Sequence, residues 1–390
     1  MKKAVLFLLV GIMLAITAAA GADGGKWQVV TGDAASFVLW NACPLDAHNA
    51  VVTAWSVNGK PWHVSWYRDG ELFRDLTWII EEPYMESHVI AEPVIWDGEH
   101  LTVRYSARKG AYQEVVDESG MHSADPGNYE TYLAEWTENG LENPVPIPED
   151  WYDTNELGRI VFSQKQDGFG LRIDGKDAPL PEGFPGAPVD DVFYLKCYPV
   201  SENMYLLTYM IREDENRRVI CMDHGTKRSE VRLTEEEDWT VWPDANGGFF
   251  VRIGWPTGSY DPVRLKHFSA DGEQDRTMEL KGEKVVVHPA HTWIDESTGN
   301  TILYGTAVAS SRPLYAAFAM TLDRDLNVAD LDVRELSAVY RDYSPSMYLA
   351  PDGSAWVMIG DLEGKKKTRP MMIPFSELEK SGEDFGLTLE

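Results

Sequence analysis

Apolar and polar positions trade places along this chain in short runs, and the runs come in groups. In "LTVRYS" (101–106) and "FFVRIG" (249–254) the alternation has a period of two, the pattern of a strand with one face turned inward. Turn residues stand between the runs. Asp97-Gly98 separates "EPVIW" from "LTVRYSA", and the same phrase returns at "YLAPDGSAWVMIG" (348–360) and "VWPDANGGFFVRIG" (241–254). No long segment carries a helical period, and Ser376 to Lys380 is expected to form one helical turn at most.

These hairpins belong to a larger unit that recurs every 40 to 60 residues or so. It reads as an apolar strand, a turn, an alternating strand, a variable loop, another alternating strand, a polar turn and a closing strand. The clearest copy spans 238–280, with Ser269-Ala270-Asp271-Gly272 at its second turn. Others span 36–78, 88–148, 192–233, 291–336 and 343–375, and 155–185 reads as a shortened copy. The copy at 88–148 requires a long insertion, about Arg108 to Asn128, between its second and third strands.

One four-stranded sheet cannot bury both faces alone, whereas sheets packed radially cover each other and close a ring. The pattern therefore predicts an all-β fold, a β-propeller of about seven four-stranded blades. Six blades are the alternative, and a two-domain β-sandwich is the rival architecture. The 14 tryptophans suit wide gaps between blades, and Trp40, Trp66, Trp242 and Trp293 are expected to fill them. The turns Pro351-Asp352-Gly353, followed by Trp356, and Ala270-Asp271-Gly272 resemble those of secreted bacterial β-propeller repeat proteins, over nearly all of the chain beyond residue 22. The resemblance implies the fold and leaves the activity open. The S-x-D-x-G-x-x-W box of sialidase-like propellers is not met, because Leu349 and Pro351 occupy the wrong places, and the Gly-His…Trp-Asp pattern of WD repeats is missing.

The first 22 residues read as a secretory signal peptide rather than part of the fold. Lys2 and Lys3 precede an uncharged apolar run from Ala4 to Ala20, with small residues at Ala18-Ala19-Ala20 and Ala20-Gly21-Ala22. The expectation is one propeller domain over 23–390, secreted or held at the exterior of the cell envelope (the periplasm in a Gram-negative host). No transmembrane segment is expected after signal removal. Formal charge is −28, from 35 basic and 63 acidic residues, which repels nucleic acid and anionic membrane at long range. Cys43, Cys197 and Cys221 are too few for a disulfide scaffold. The repeat frame puts Cys197 and Cys221 on the first and third strands of one sheet, too far apart to bridge, and all three are expected to be buried thiols.

Propeller ligands commonly bind at one mouth of the channel, where two sets of loops meet. The loops entering each blade carry Asp190 and Asp191, Asp238, His288 and His291, and Asp342 and Tyr343. The loops joining second to third strands carry Trp62 and His63, Arg108, Arg212, Trp255 and Tyr260, and Arg312. Aromatic rings that stack on sugars, beside carboxylates and imidazoles that bond hydroxyls, point to a binding module for a glycan, peptide or cell-surface partner, expected to be monomeric. A glycoside hydrolase or sialidase-like enzyme is the alternative, using paired carboxylates among Asp190, Asp191, Asp238 and Asp342. A structural envelope component is the third reading. His288 and His291 invite a zinc reading, but no second histidine pair supports it, so neither metal nor cofactor is expected. Serine hydrolase, P-loop and dinucleotide-binding motifs are missing from the sequence.

Overall fold

The computed structural model describes residues 28–29, 37–56, 62–69, 71–78, 92–108, 114–116, 122–124, 129–147, 151–165, 168–182, 184, 192–211, 214–234, 237–254, 260–309, 314–336, 345–362 and 368–390. They form seven antiparallel blades in a ring, a β-propeller. Blade 1 contains Phe37–Pro44, Asn49–Ser56, Trp62–Arg68 and Glu71–Trp78. Blade 2 contains Glu92–Trp96, Leu101–Arg108, Tyr129–Thr137 and Gly140–Pro146. Its insertion carries a small hairpin of its own, Glu114–Val116 against His122–Ala124. Blade 3, the expected short copy, still has four strands: Trp151–Asn155, Ile160–Lys165, Gly168–Ile173 and Lys176–Ala178.

Blade 4 is Val192–Ser201, Met204–Ile211, Asp214–Asp223 and Thr226–Leu233. Blade 5 is Glu237–Pro243, Phe249–Ile253, Val263–Phe268 and Gln274–Lys281. Blade 6 is Val285–Asp295, Asn300–Ala309, Leu314–Leu322 and Val328–Leu336. Blade 7 takes three strands from its own copy, Ser346–Leu349, Ala355–Leu362 and Thr368–Pro374. Its fourth is Gln28–Val29, which pairs Gln28 with Met372 and Val29 with Met371. The ring is thus closed by a strand from the far end of the chain.

A second closure runs outside the ring. After a single 3-10 turn, Phe375–Glu377, the chain crosses the outer edge of blade 6, where Glu335 N bonds Glu379 O at 2.9 Å and Ser381 N bonds Val333 O at 2.8 Å. It ends as a fifth strand on blade 5, Thr388–Leu389, pairing with Lys281 and Leu280. Leu378 and Leu387 are buried along the way and pin this strap to the blades.

The core is divided among the gaps between blades. Phe249 and Val251 pack toward blade 4, while Phe250 between them packs toward blade 6. All three are buried, so the alternation expected in "FFVRIG" does not leave a solvent face. A strand sandwiched by two neighbouring sheets must be apolar on both sides. Tryptophans fill the gaps as expected: Trp66 and Trp242 are buried, and Trp293 packs half-buried between blades 6 and 7. The side chain of Trp40 lies outside the described residues. Cys197 and Cys221 are free and buried, with the second strand between their strands, whereas Cys43 is only half-buried because it sits at the margin of its cluster. Among the described residues no helix is long and apolar enough to cross a membrane.

Five inner hairpins turn in one way. Asp46, Asp97, Asp244, Asp295 and Asp352 each accept the backbone N–H two residues on, at 2.5 to 2.9 Å. This Asx-type turn is the physical content of the repeated Asp in the sequence.

Candidate functional site

The first strands of blades 5, 6, 7 and 1 lie beside one another around the axis, so first strands line the channel. Turns joining first to second and third to fourth strands face one end, called here the lower. Loops joining second to third strands, and blade to blade, face the upper end. In six blades a bulge interrupts the pairing of first and second strands among the described residues. A bulge raises the local twist and re-aims a side chain.

The clearest case is blade 4. Its first strand loses register between Phe193 and Lys196, and Tyr194 lies there with φ at 52°. The left-handed region costs a non-glycine residue on the order of 1 kcal/mol or more. Val192 and Leu195 are buried on either side and hold the strand in place. Tyr194 is 56% exposed, an aromatic side chain left open to solvent on the innermost strand.

Blade 6 brings His288 and His291 onto the same inner surface, with the bulge between Pro289 and His291. The repeat frame assigns both to a loop. The strand instead begins at Val285, because Val285-Val286-Val287 is a β-branched run that extends it. His291 Nε2 lies 3.0 Å from Met347 O of blade 7. A carbonyl only accepts, so Nε2 carries the proton and Nδ1 remains an acceptor. Burial, with a smaller push from the Lys196 ammonium of blade 4, holds this imidazole below its usual pKa despite that bond. Burial and then the Arg252 charge do the same to His288, which is itself exposed. Two imidazoles with depressed pKa values therefore stand on the first strand of blade 6, with the Lys196 ammonium near enough to act on His291.

Two acids described at this end are matched by cations. Glu237 opens blade 5, ion-paired with Lys266 and accepting from the N–H and hydroxyl of Thr234 at 2.6 Å. Its burial would raise the carboxyl pKa, but these bonds bring it below the usual value. Glu92, opening blade 2, is paired with Arg104.

Other sequence candidates fall as follows. Trp62 and His63 open the third strand of blade 1, Arg108 ends the second strand of blade 2 and Asp238 lies in the first strand of blade 5; these positions are strand rather than loop. Pairing of Trp62 with Trp78 and His63 with Thr77 carries the blade 1 ladder further than the Pro61 signal suggests. Tyr260 is in its expected loop and exposed. Asp190, Asp191, Arg212, Trp255, Arg312, Asp342 and Tyr343 lie outside the described residues.

One feature of the channel has no counterpart among those candidates. Blade 3 turns through Glu156, Leu157 and Gly158, all left-handed, at φ 48°, 53° and 89°. Leu157 packs into the cluster shared by blades 1 and 2, and Gly158 lies against Ile95 of blade 2. Arg159 Nη1 donates to Pro351 O of blade 7 at 3.3 Å. Blades 3 and 7 are three places apart in a ring of seven, so they meet only across the axis. The same guanidinium bonds Glu156 at 3.2 Å and both oxygens of Asp174, at 2.9 and 3.3 Å. The tip of blade 3 therefore reaches across the lower end to blade 7. Glu156 is pressed among protein groups, and burial raises its carboxyl pKa against the opposing pull of Arg159, although 33% of the side chain remains reachable. The only sequence trace is negative: "TNELGR" lacks the Asp of the other turns.

No protein-family model matches the chain, and no curated protein sequence does. Solved structures align with the chain at low identity. A calcium-binding protein, regucalcin, from Agrobacterium tumefaciens aligns at 10% identity and a TM-score of 0.32, over 93% of this chain and 97% of that one. The endo-arabinase from Bacteroides thetaiotaomicron aligns at 11% and 0.28, over 74% and 97%. The WD40 domain of SCAP from fission yeast aligns at 8% and 0.26, over 88% and 75%. At TM-scores this low the likenesses carry no argument, and the β-propeller rests on the strand order of the chain itself.

Proposed function

We propose that this chain is an exported, non-catalytic β-propeller that binds a glycan at the upper mouth of its channel, with Tyr194 as the stacking surface. The observation that carries the reading is Tyr194 itself, exposed, left-handed and set on a bulge of the innermost strand of blade 4. Backbone strain held by buried neighbours is kept where a side chain must point somewhere in particular. A phenol ring offers a flat apolar face to sugar C–H groups and a hydroxyl to bond beside it. Neutral His288 and His291 suit uncharged hydroxyl partners. Trp62, His63, Arg108, Arg212, Trp255, Tyr260, Arg312 and Tyr343 would extend that surface around the rim.

Glu92 and Glu237 are each committed to a cation, so neither is offered as an acid for the enzymatic alternative. The enzymatic alternative rests on Asp190, Asp191, Asp238 and Asp342.

A thermal-shift screen of residues 23–390 against neutral oligosaccharides, sialyllactose and short peptides tests the reading. A sugar-specific shift that Tyr194→Ala and Trp255→Ala abolish is expected. A sugar shift that survives Tyr194→Ala overturns the placement, and a shift with peptides alone overturns the glycan assignment. Product release that Asp190→Asn or Asp342→Asn removes would establish the enzyme instead.

A further inference from the structure

We propose that the channel is a blind pocket whose floor is the Glu156–Arg159 tip of blade 3, and that it takes the terminal residue of a glycan chain rather than a stretch of its interior. This rests on the glycan reading above and adds a specificity to it. Five other blades turn their inner hairpins with an Asp carboxylate, at no cost in backbone strain. Blade 3 alone puts two consecutive non-glycine residues, Glu156 and Leu157, in the left-handed region among the described residues. Such strain persists only where surrounding contacts over-determine it. Here those contacts are Leu157 in the apolar cluster of blades 1 and 2, and the Arg159 bonds to Glu156, Asp174 and, across the axis, Pro351 O. The tip is held on the axis from several sides.

A polymer entering from the upper mouth cannot pass through a floor of this kind. Lateral exits are blocked as well, because buried apolar side chains fill six of the seven gaps between blades, and Gly158 of blade 3 lies against Ile95 in the gap between blades 2 and 3. A chain that reaches the floor must end there. The tip carries a carboxyl and a guanidinium, each about one-third exposed, which suit the extra hydroxyl that marks a terminal sugar and that an interior residue has already spent in a glycosidic bond.

Isothermal titration of residues 23–390 with cello-, xylo-, chito- and malto-oligosaccharides, from the trisaccharide to the octasaccharide, separates end from interior recognition. End recognition gives a molar affinity that levels off once the pocket is full and stays constant in longer chains. Arg159→Ala should then weaken binding about tenfold, the equivalent of one hydrogen bond to a charged group, with Arg159→Lys falling between. Affinity that keeps rising with chain length, or an unchanged affinity in a folded Arg159→Ala protein, overturns the blind-pocket inference and leaves the glycan reading standing. Binding in none of the four series removes both. If Arg159→Ala fails to fold, the length series on the unaltered chain still distinguishes a plateau from a continued rise.

Discussion

The indole Nε1–H of Trp356 in blade 7 donates to the carbonyl of Asp46 in blade 1 at 3.0 Å. Asp46 also takes Trp96 Nε1 of blade 2 on its carboxylate at 3.1 Å, and Asp352 Oδ2 of blade 7 accepts Ala47 N at 3.2 Å. One turn of blade 1 thus joins its neighbours on both sides. Trp356 is fully buried between blades 7 and 1. Trp356→Ala should cost about 3–5 kcal/mol, from lost burial, the cavity left behind and an unpaired carbonyl. Chemical denaturation would measure it; a loss within experimental error would mean that this seam bears little of the ring's stability.

His267 of blade 5 lies between two carboxylates, with Nε2 2.6 Å from Asp244 and Nδ1 2.5 Å from Asp275. Burial alone would lower its pKa, yet the two acids bring it above the usual imidazole value. A folded pKa above the unfolded one, about 6.5, makes the contribution complete below that pH. It is lost as pH rises through the folded value. Melting temperature against pH should show this fall in the wild type and not in His267→Asn. The variant should also lose about 3 kcal/mol or more under mildly acidic conditions, because Asp244 is left buried without its partner.

His291 carries the opposite sign. Its folded pKa is depressed, so the contribution is present above about pH 6.5 and lost as pH falls through the folded value. His291→Asn should flatten the acid limb of the same melting curve while leaving the alkaline limb in place. A variant that moves the alkaline limb would show that the two histidines are not independent.

Gly353 sits at φ 85°, and a Cβ added there would run into the ring of Trp293 in blade 6. Gly353→Ala combines left-handed strain with a rigid aromatic neighbour, so a loss of about 2–4 kcal/mol is expected. Equilibrium unfolding beside Gly98→Ala, where φ is 97° but nothing lies within contact distance, separates the clash from the strain.

The strap should matter from outside the ring. Leu387 is buried in the cluster of blades 5 and 6, and Leu387→Ala is expected to cost about 2–4 kcal/mol. Deletion of 387–390 should cost at least as much and leave blade 5 with an uncovered edge. Denaturation midpoints and solubility at rising concentration would record both effects.

Much of the architecture was legible because paired apolar runs mark the blades and a repeated Asp turn marks five of them, and the copy limits at 36–78 and 192–233 agree with blades 1 and 4. What escaped was short or unpatterned. Gln28–Val29 is two residues long and makes sense as a strand only beside Met371 and Met372. Thr388–Leu389 is equally brief. Tyr194 looks like one more strand aromatic until the bulge turns it outward, and a bulge has no reliable sequence mark. Glu156 and Arg159 were invisible for a different reason. Their position depends on Pro351 and Leu45, residues far away in the chain, so only the closed ring brings them to the axis.

The pairing of Gln28 with Met372 also dictates an order of events. During synthesis Gln28 emerges before any blade exists, while its partner emerges after nearly all of them. Among the described strands the first made is therefore paired late, and until then blade 7 keeps a bare edge. A contact of such long sequence separation is slow to form. The time for which that edge stays bare is a window for pairing with another chain, a hazard set by folding rate and separate from the finished ring's stability.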